Sequence, residues 1–210
     1  DPGLSPERSI AVDGGIDQWF SGSRAQISAT WFYTRLQEQI LYRDFFTAGT
    51  DPFNRIYGGY ANGGSGIARG LELSGNVSPA TSTKLRASYT YANSDSSNPT
   101  IAGTDYHQRL DISPHTLTLG ATQWIRQKTN VTFDMSAASD YIRTFFGSGT
   151  RRLRFDGPVK ADVIVRHDLL LRDRTLEVYA KVENVFGQRP HEGGSVGPKA
   201  WFIAGGRILF

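Results

Sequence analysis

The chain contains no cysteine and a single methionine, which removes disulfides, thiolate metal sites and cysteine nucleophiles from its chemistry. It has no run approaching the roughly 18 apolar residues that a spanning helix requires, so a helical membrane protein is excluded. Charge of one sign is also missing. Lys and Arg number 23 against 20 Asp and Glu, a formal net charge of +3, with the signs interspersed. That balance does not build the concentrated basic field that nucleic acid demands, and no nucleic-acid partner is expected. The one dense basic stretch is TRRLRF, where Arg151, Arg152 and Arg154 fall within four residues. It reads either as a solvated loop end or as a contact for anions such as lipid phosphates. The first residues, Asp1-Pro2-Gly3, carry neither a basic nor an apolar signal region, so any secretion signal is expected to lie outside this sequence.

What is present is alternation. TLEVYAKVENVF sets Leu176, Val178, Ala180 and Val182 on one side and Glu177, Tyr179, Lys181 and Glu183 on the other. KLRASYTY opposes Leu85, Ala87, Tyr89 and Tyr91 to Lys84, Arg86, Ser88 and Thr90. NVTFDMSA and VKADVIVRHD repeat the pattern, Ile164 being the exception. A period of two with no sustained helical period predicts an all-β chain, with strands at about 7–20, 24–43, 65–77, 83–93, 115–126, 129–142, 159–171, 174–186 and 200–210.

The connections alternate in length. SGS, SPATS, RQK and RDR are short, while those near 44–64, 94–114, 143–158 and 187–199 are long. In a meander, alternate connections share one end of the sheet, which predicts tight turns at one end and long Gly-, Ser-, Asn- and aromatic-rich loops at the other. That is the layout of an antiparallel, up-and-down outer-membrane barrel. Segment lengths agree with a tilted span of about 9–11 residues. The apolar side would then face lipid and the charged side a wet lumen. The aromatics Trp19, Phe20, Trp31, Tyr33, Tyr89, Tyr91, Trp124, Tyr141, Phe145, Phe146 and Trp201 lie mainly toward strand ends, where interfacial girdles are expected.

Nine antiparallel strands leave the first and last running in the same direction. Closing the sheet would pair them in parallel, whereas single-chain bacterial barrels have even counts. An open edge cannot remain in hydrocarbon, where each unpartnered amide costs several kcal/mol. Further strands are therefore expected N-terminal to Asp1. DPFNRIYGGYA, within 44–64, is where extra pairing above the membrane would alter the count.

Four stretches resemble the TonB-dependent outer-membrane receptors. LSPERSIAVDGGI is similar to a mid-barrel segment of that family, with Asp13 at the usual Glu position, followed by Gly14 and Gly15. GIARGLELSGNVSP resembles its Gly-x-Glu strand through Gly70 and Glu72. VENVFGQRP resembles the end of the penultimate strand through Asn184, Val185 and Phe186, although Gly187 and Pro190 replace a common Asp and Tyr. AWFIAGGRILF resembles the terminal strand, with Phe202, Ala204, Gly206, Ile208 and Phe210 on one face.

The resemblance implies roughly the last nine strands of a 22-strand barrel, with 1–210 as the C-terminal barrel portion and the plug and N-terminal strands absent from this sequence. It implies residence in the outer membrane of a Gram-negative bacterium and uptake of a scarce nutrient, such as an iron–siderophore complex or cobalamin, without chemical conversion. It also implies four partnerships: with the lipid bilayer and lipopolysaccharide, with the TonB energy-coupling complex through the absent N-terminal part, with barrel-insertion machinery that reads the terminal strand, and with a metal-chelate or other nutrient ligand. A smaller passive barrel or porin and a soluble β-sandwich carbohydrate-binding module are the alternatives.

Other motifs point to no chemistry. GGSVG matches a nucleophile elbow, but the elbow needs Ser on a strand-to-helix turn, and Pro190 and Pro198 bracket Ser195 ahead of another strand. It reads as a flexible loop. His107, His115, His167 and His191 lack metal-ligand spacing, and NSDSSNPT lacks the Gly and terminal Glu of a calcium loop and reads as a solvated turn. GGSGIARG opens a strand instead of a helix, so it reads as a hinge-like loop end and not as a phosphate cradle. No catalytic residue, metal or cofactor is expected. Ligand contact is expected in the long loops, at Tyr57, Tyr60, Tyr106, His107, Arg109, Phe145, Phe146, Arg151 and Arg152. Aromatic faces and guanidinium forks suit planar anionic chelates. Lumen-facing Lys84, Arg86, Asp134, Asp162, Arg166, Glu177, Lys181 and Glu183 are expected to pair with one another, with water or with a plug.

Overall fold

The computed structural model describes residues 3–22, 24–43, 58–97, 107–108, 112–145, 151–171, 174–189, 191–192 and 195–209. Its strands are β1 (Arg8–Phe20), β2 (Ala25–Arg43), β3 (Gly59–Ala80), β4 (Thr83–Ser97), β5 (His107–Gln108), β6 (His115–Ile125), β7 (Thr129–Ala138), β8 (Tyr141–Phe145), β9 (Arg151–Phe155), β10 (Val159–Leu171), β11 (Arg174–Glu183), β12 (His191–Glu192), β13 (Ser195–Val196) and β14 (Trp201–Leu209). Nine of them form one antiparallel meander in the order β1-β2-β3-β4-β6-β7-β10-β11-β14, with β5 paired to the far end of β4. β8 with β9 and β12 with β13 form separate two-stranded hairpins.

The register carries the alternation across the whole sheet. Leu176, Val178, Ala180 and Val182 stand opposite Ile208, Gly206, Ala204 and Phe202, and opposite Leu169, His167, Val165 and Val163 on the other side. The same rows continue through Phe133 and Val131 on β7, Ala121 and Leu119 on β6, Leu85 and Ala87 on β4, Val77 and Leu73 on β3, and Ile27 and Ala29 on β2. One face is thus apolar from edge to edge. It is not covered: among the described residues Ala161 is the only buried hydrophobic, while Ile16, Ile27, Leu119, Val165 and Phe202 are exposed. A sandwich would stack a second sheet about 10 Å away over this face. A single layer with an exposed apolar face is what a lipid-contacting wall presents instead, and the soluble-sandwich alternative falls with it.

Toward the long-loop end the apolar face meets outward aromatics. Trp31 stacks on Tyr33 at 6.4 Å and 17°. Tyr89 and His115 stack at 6.1 Å and share a 2.7 Å hydrogen bond between the phenol and Nδ1, and Tyr91 leans on the same imidazole at 5.1 Å. Three other tryptophans depart from the girdle expectation. Trp19 lies opposite Gln26, Trp124 opposite Asn130 and Trp201 opposite Glu183, which puts all three on the polar face.

Strand limits differ from the sequence pattern where pairing outlasts the membrane. β3 begins at Gly59, so GGSG is part of a strand and not a hinge-like loop end. Gly59 to Ala61 face Arg43 to Leu41 above a bulge between Leu36 and Gln39, so Gly59 to Asn62 and Gly64 of the 44–64 segment do pair, while 44–57 lie outside the described residues. Asn62 ties the bulge down: its Nδ2 donates to Glu38 O at 2.8 Å and to Ser5 O at 2.7 Å, and its Oδ1 accepts the Ser5 N–H at 2.7 Å. β4 runs on to Ser97, so the first residues of NSDSSNPT are strand and not turn.

The span expected at 129–142 divides, with β7 ending at Ala138 and β8 beginning at Tyr141. At the division Gly157 lies so close to Ala138 that a Cβ there would stand 1.9 Å from the Ala138 carbonyl oxygen, and the β8–β9 hairpin leaves the main sheet at that contact. β11 ends at Glu183 instead of 186 because Asn184 takes φ 52, a left-handed conformation that Asn adopts far more readily than most residues.

Candidate functional site

The polar face of the meander is a wall of side chains from alternate positions of every strand, and most charges of its C-terminal part are neutralised in pairs, Arg166 and Asp168 of β10 having no ion-pair partner among the described residues. Lys181 Nζ lies 3.0 Å from Asp162 Oδ2 on β10 and 2.5 Å from Glu183 Oε1 on its own strand. Glu183 Oε2 accepts the Trp201 indole N–H at 2.6 Å. Arg207 forks onto Glu177, with Nε 3.0 Å from Oε1 and Nη2 3.2 Å from Oε2. Arg86 of β4 reaches across Gly120 of β6 to pair with Asp134 of β7. Gly120 permits this reach, since a Cβ there would stand 2.4 Å from Arg86 Nε. Lys84 sits 5.2 Å from the Trp124 ring centroid, a cation–π distance. The sequence pattern points to these charges but not to Arg207, and it assigns Trp124 and Trp201 to the lipid-facing girdle although both face inward. Their parity relative to Glu183 and Lys84 was the available signal.

The wall of β1 to β3 is different. Asp13 and Asp17 of β1 and Glu72 of β3 are on the polar face by register, opposite Phe32, Ser28 and Thr30. None has an ion-pair partner among the described residues.

Above the wall, Asn184 fastens the connection from β11 to β14. It is 6% exposed. Its backbone N–H donates to Asp162 Oδ1 at 3.0 Å, and its Nδ2 donates to Gln188 O at 2.7 Å and Pro198 O at 3.0 Å. One carboxylate, Asp162, therefore serves both Lys181 and the backbone of the Asn-Val-Phe turn. Gly187, at φ 62, closes that turn by donating its N–H to Asn184 O at 2.8 Å.

The ligand-contact candidates lie toward the long-loop end where they are described. Tyr60 meets Tyr42 edge-on at 5.6 Å on the protruding part of β2 and β3. His107 pairs with Ser97 at the end of β4. Phe145 and Arg151 are register partners at the tip of the β8–β9 hairpin, and Arg152 is next in line opposite Thr144. The fold therefore gathers Phe145, Arg151 and Arg152 on one hairpin, with Tyr60 and His107 on two other extensions. Tyr57, Tyr106, Arg109 and Phe146 lie outside the described residues, as does Phe210 of the terminal-strand set. The other four of that set, Phe202, Ala204, Gly206 and Ile208, are on the apolar face.

The β8–β9 hairpin is braced at its base. Asp140 accepts from Arg154 Nε at 2.9 Å and Nη2 at 2.5 Å and from the Gly157 N–H at 2.9 Å. The Gly157 hydrogen bond and, after it, the Arg154 guanidinium hold its carboxyl below the usual 3.8. Tyr141 stacks on Phe155 beside it at 5.3 Å. Ser195 is in a two-residue strand opposite Glu192, a strand in place of the expected flexible loop, and the described residues around it offer no strand-to-helix turn of the kind a nucleophile elbow needs.

With a single-layer wall, one greasy face and one charged face in view, comparison with known proteins is informative. The family described as TonB dependent receptor-like, beta-barrel matches residues 1–185. No curated protein matches the chain. Among solved structures, the ferripyoverdine receptor of the outer membrane of Pseudomonas aeruginosa is similar, with a TM-score of 0.76 at 14% identity over 98% of this chain and 28% of its own. The ferric-catecholate import receptor Fiu from E. coli gives 0.71 at 15% identity over 98% and 28%. BauA, the ferric preacinetobactin receptor from Acinetobacter baumannii, gives 0.71 at 15% identity over 98% and 30%. The chain thus spans under a third of the length of these receptors and corresponds to the C-terminal part of their barrels. The matched family consists of transporters, not enzymes, of the Gram-negative outer membrane. This chain belongs to the TonB-dependent receptor β-barrel family.

Proposed function

We propose that residues 1–210 form the C-terminal barrel portion of a longer receptor that takes up a scarce nutrient, an iron–siderophore complex or cobalamin being the class expected. The plug, the remaining strands and the segment that engages the TonB complex belong to the rest of that receptor. The observation that carries this reading is the wall itself: nine strands that expose apolar residues on one side and a charged, hydrogen-bonding surface on the other. A closed eight-strand barrel is only wide enough to be filled by its own side chains. The charged surface instead suits an aqueous bore that holds a polar plug. The names of the three receptors described above, for ferripyoverdine, ferric catecholate and ferric preacinetobactin, favour iron over cobalamin.

On this reading Tyr60, His107, Phe145, Arg151 and Arg152, with Tyr57, Tyr106, Arg109 and Phe146, take part in a rim that receives a planar anionic chelate by stacking and charge-assisted hydrogen bonds. The terminal strand, including Phe210, supplies the face that insertion machinery reads. Deleting the gene in the organism that carries it, then measuring uptake of radiolabelled iron on several siderophores and of labelled cobalamin, tests the assignment. Loss of one siderophore-dependent uptake, restored by the intact gene and abolished by collapsing the proton gradient, is the expected result. Unchanged uptake of every compound would refute it, and uptake indifferent to the gradient would favour a passive barrel.

A further inference from the structure

At the long-loop end β2 and β3 run on past their neighbour β1. β1 begins at Arg8, opposite Gln37, so from Glu38 upward β2 has no β1 residue paired beside it. At the same level the β2–β3 ladder slips twice. β2 carries an additional residue between Leu36 and Gln39, and β3 carries one between Gly64 and Asn62. The two slips cancel, and Ile40, Leu41, Tyr42 and Arg43 pair again with Asn62, Ala61, Tyr60 and Gly59. The extension is thus joined to the wall through a break in its ladder. Glu38 sits in the break at φ 55, a conformation that a residue other than glycine keeps only where its surroundings hold it.

Side chains supply what the ladder lacks there. The Ile40 N–H donates to Glu7 Oε1 at 2.8 Å, so a carboxylate stands in for the carbonyl that a continuing β1 would have offered. Asn62 reaches across β2: its Nδ2 donates to Glu38 O and Ser5 O, and its Oδ1 accepts the Ser5 N–H. Its amide therefore engages both backbone groups of Ser5 as a neighbouring strand would. Gly64 is buried, and a Cβ there would stand 2.7 Å from Leu41 Cδ1 and 2.8 Å from Gln39 Cβ, so the extension lies against it without a side chain between. Residues 5–7, 38–40 and 62–64 are tied into one joint.

Two residues above the joint stands the exposed Tyr42–Tyr60 pair, edge-on at 5.6 Å. A bulge bends the strand that carries it, so a ladder broken in both strands leaves the direction of the extension to whatever else binds it. A hydrogen bond to a carboxylate is about twice as strong as one between neutral groups, and Glu7 places one at the break. The joint also fastens the chain entering β1 to the extension of β2 and β3, two neighbouring parts of the long-loop end.

We infer that Glu7 and Asn62 are positioning residues of the nutrient rim, acting not on the nutrient but on the place of the Tyr42–Tyr60 pair, and that they make residues 5–7 and the β2–β3 extension one body. The inference rests on the reading of Tyr60 as a rim residue.

Spin labels at Ala61→Cys, on the extension, and Leu73→Cys, lower on β3, report the place of the extension by pulsed dipolar spectroscopy of the full-length receptor in nanodiscs. The background with Glu7 and Asn62 intact should give one narrow distance distribution. Glu7→Ala and Asn62→Ala should each broaden it about twofold, while Glu7→Gln, whose amide oxygen still accepts the Ile40 N–H, should keep it narrow. Whichever of ferripyoverdine, a ferric tris-catecholate and a ferric tris-hydroxamate the wild type binds is then titrated. Tyr60→Ala should weaken binding about tenfold and Glu7→Ala about fivefold, chiefly through faster release. The two together should be no worse than Tyr60→Ala alone, because the second acts through the first. Distributions as narrow in Glu7→Ala and Asn62→Ala as with both residues intact, or as broad in Glu7→Gln as in Glu7→Ala, would overturn the joint. Losses that add in the double variant would overturn the positioning role. Broadened distributions with undiminished binding by Tyr60→Ala, or with none of the three chelates bound by wild type, would trace the failure to the rim reading and not to the joint. If Asn62→Ala does not fold, the two Glu7 variants decide.

Discussion

The two halves of the wall solve the same problem differently. From β7 to β14 the strands of the meander are 9 to 13 residues long, six of their inner charges, Asp134, Asp162, Glu177, Lys181, Glu183 and Arg207, are neutralised within the wall while Arg166 and Asp168 of β10 have no ion-pair partner among the described residues, and Asn184 pins the connection above. From β1 to β4 the strands run 13 to 22 residues, the inner acids Asp13, Asp17 and Glu72 have no ion-pair partner among the described residues, and Arg8, Arg35 and Arg69 stand on the outward face by register. A charge neutralised by its neighbour contributes to holding the wall together. A charge without one is available to something the wall does not contain. The C-terminal half thus commits most of its inner charges to its own integrity, Asp134 drawing on Arg86 of β4, and the N-terminal half leaves its inner acids for contact.

The largest expected effect tests the faces on which this comparison rests. Val178→Arg, outward and at mid-depth, should destabilise the folded barrel in lipid vesicles by about 2–4 kcal/mol, whereas Tyr179→Arg on the wet side should cost less than about 1 kcal/mol. Equal costs in urea titration would mean the faces are misassigned. Asn184→Ala comes next, at about 3 kcal/mol, because two carbonyls lose their donor and Ala is strained at positive φ. Asn184→Gly should recover about 1 kcal/mol of this, since glycine tolerates that backbone.

A smaller effect separates the halves directly. Lys181→Met leaves Asp162 and Glu183 facing one another and should cost about 1–2 kcal/mol, the partial exposure of the cluster keeping it below a fully buried pair. Glu72→Gln should stay within about 0.5 kcal/mol. Comparable losses for both would erase the distinction between the halves. The smallest effect is at the β8–β9 brace. The carboxyl of Asp140 is held below the usual 3.8 in the folded hairpin, so its contribution is present above that value and is lost as pH falls through the lower native one. Hydrogen exchange of the hairpin amides should rise at acid pH in the wild type and lose that dependence in Asp140→Asn.

Much of this was legible because lipid and water on opposite faces impose a period of two that few other constraints override. Val159 to Val165 and Leu176 to Val182 declare their face in the sequence itself. The long strands β2 and β3 were less legible, because above the membrane the requirement for an apolar face lapses and Asn62, Gly64 and Ser65 pair without announcing it. The division between β7 and β8 was hidden for another reason. It depends on Gly157 meeting Ala138, a contact nineteen residues apart in sequence. Of the rim, composition suggested the residue types, and the fold adds that Phe145, Arg151 and Arg152 share one hairpin. The pairing of Arg207 with Glu177 needed the register of a strand thirty residues away.

The tight turns do not lie on one hydrogen-bonded row. Phe20, at the end of β1, is in a row that runs across to Val182, yet β11 continues eight residues past that row to Arg174. This slippage accumulates over seven neighbours. At about 3.3 Å per residue and about 4.8 Å between strands it corresponds to an inclination of about 40°. Strand by strand the offset looks like poor alignment. In an inclined wall it is what levels the rim, bringing every hairpin mouth to the same height so that loops far apart in sequence can reach toward one arriving molecule.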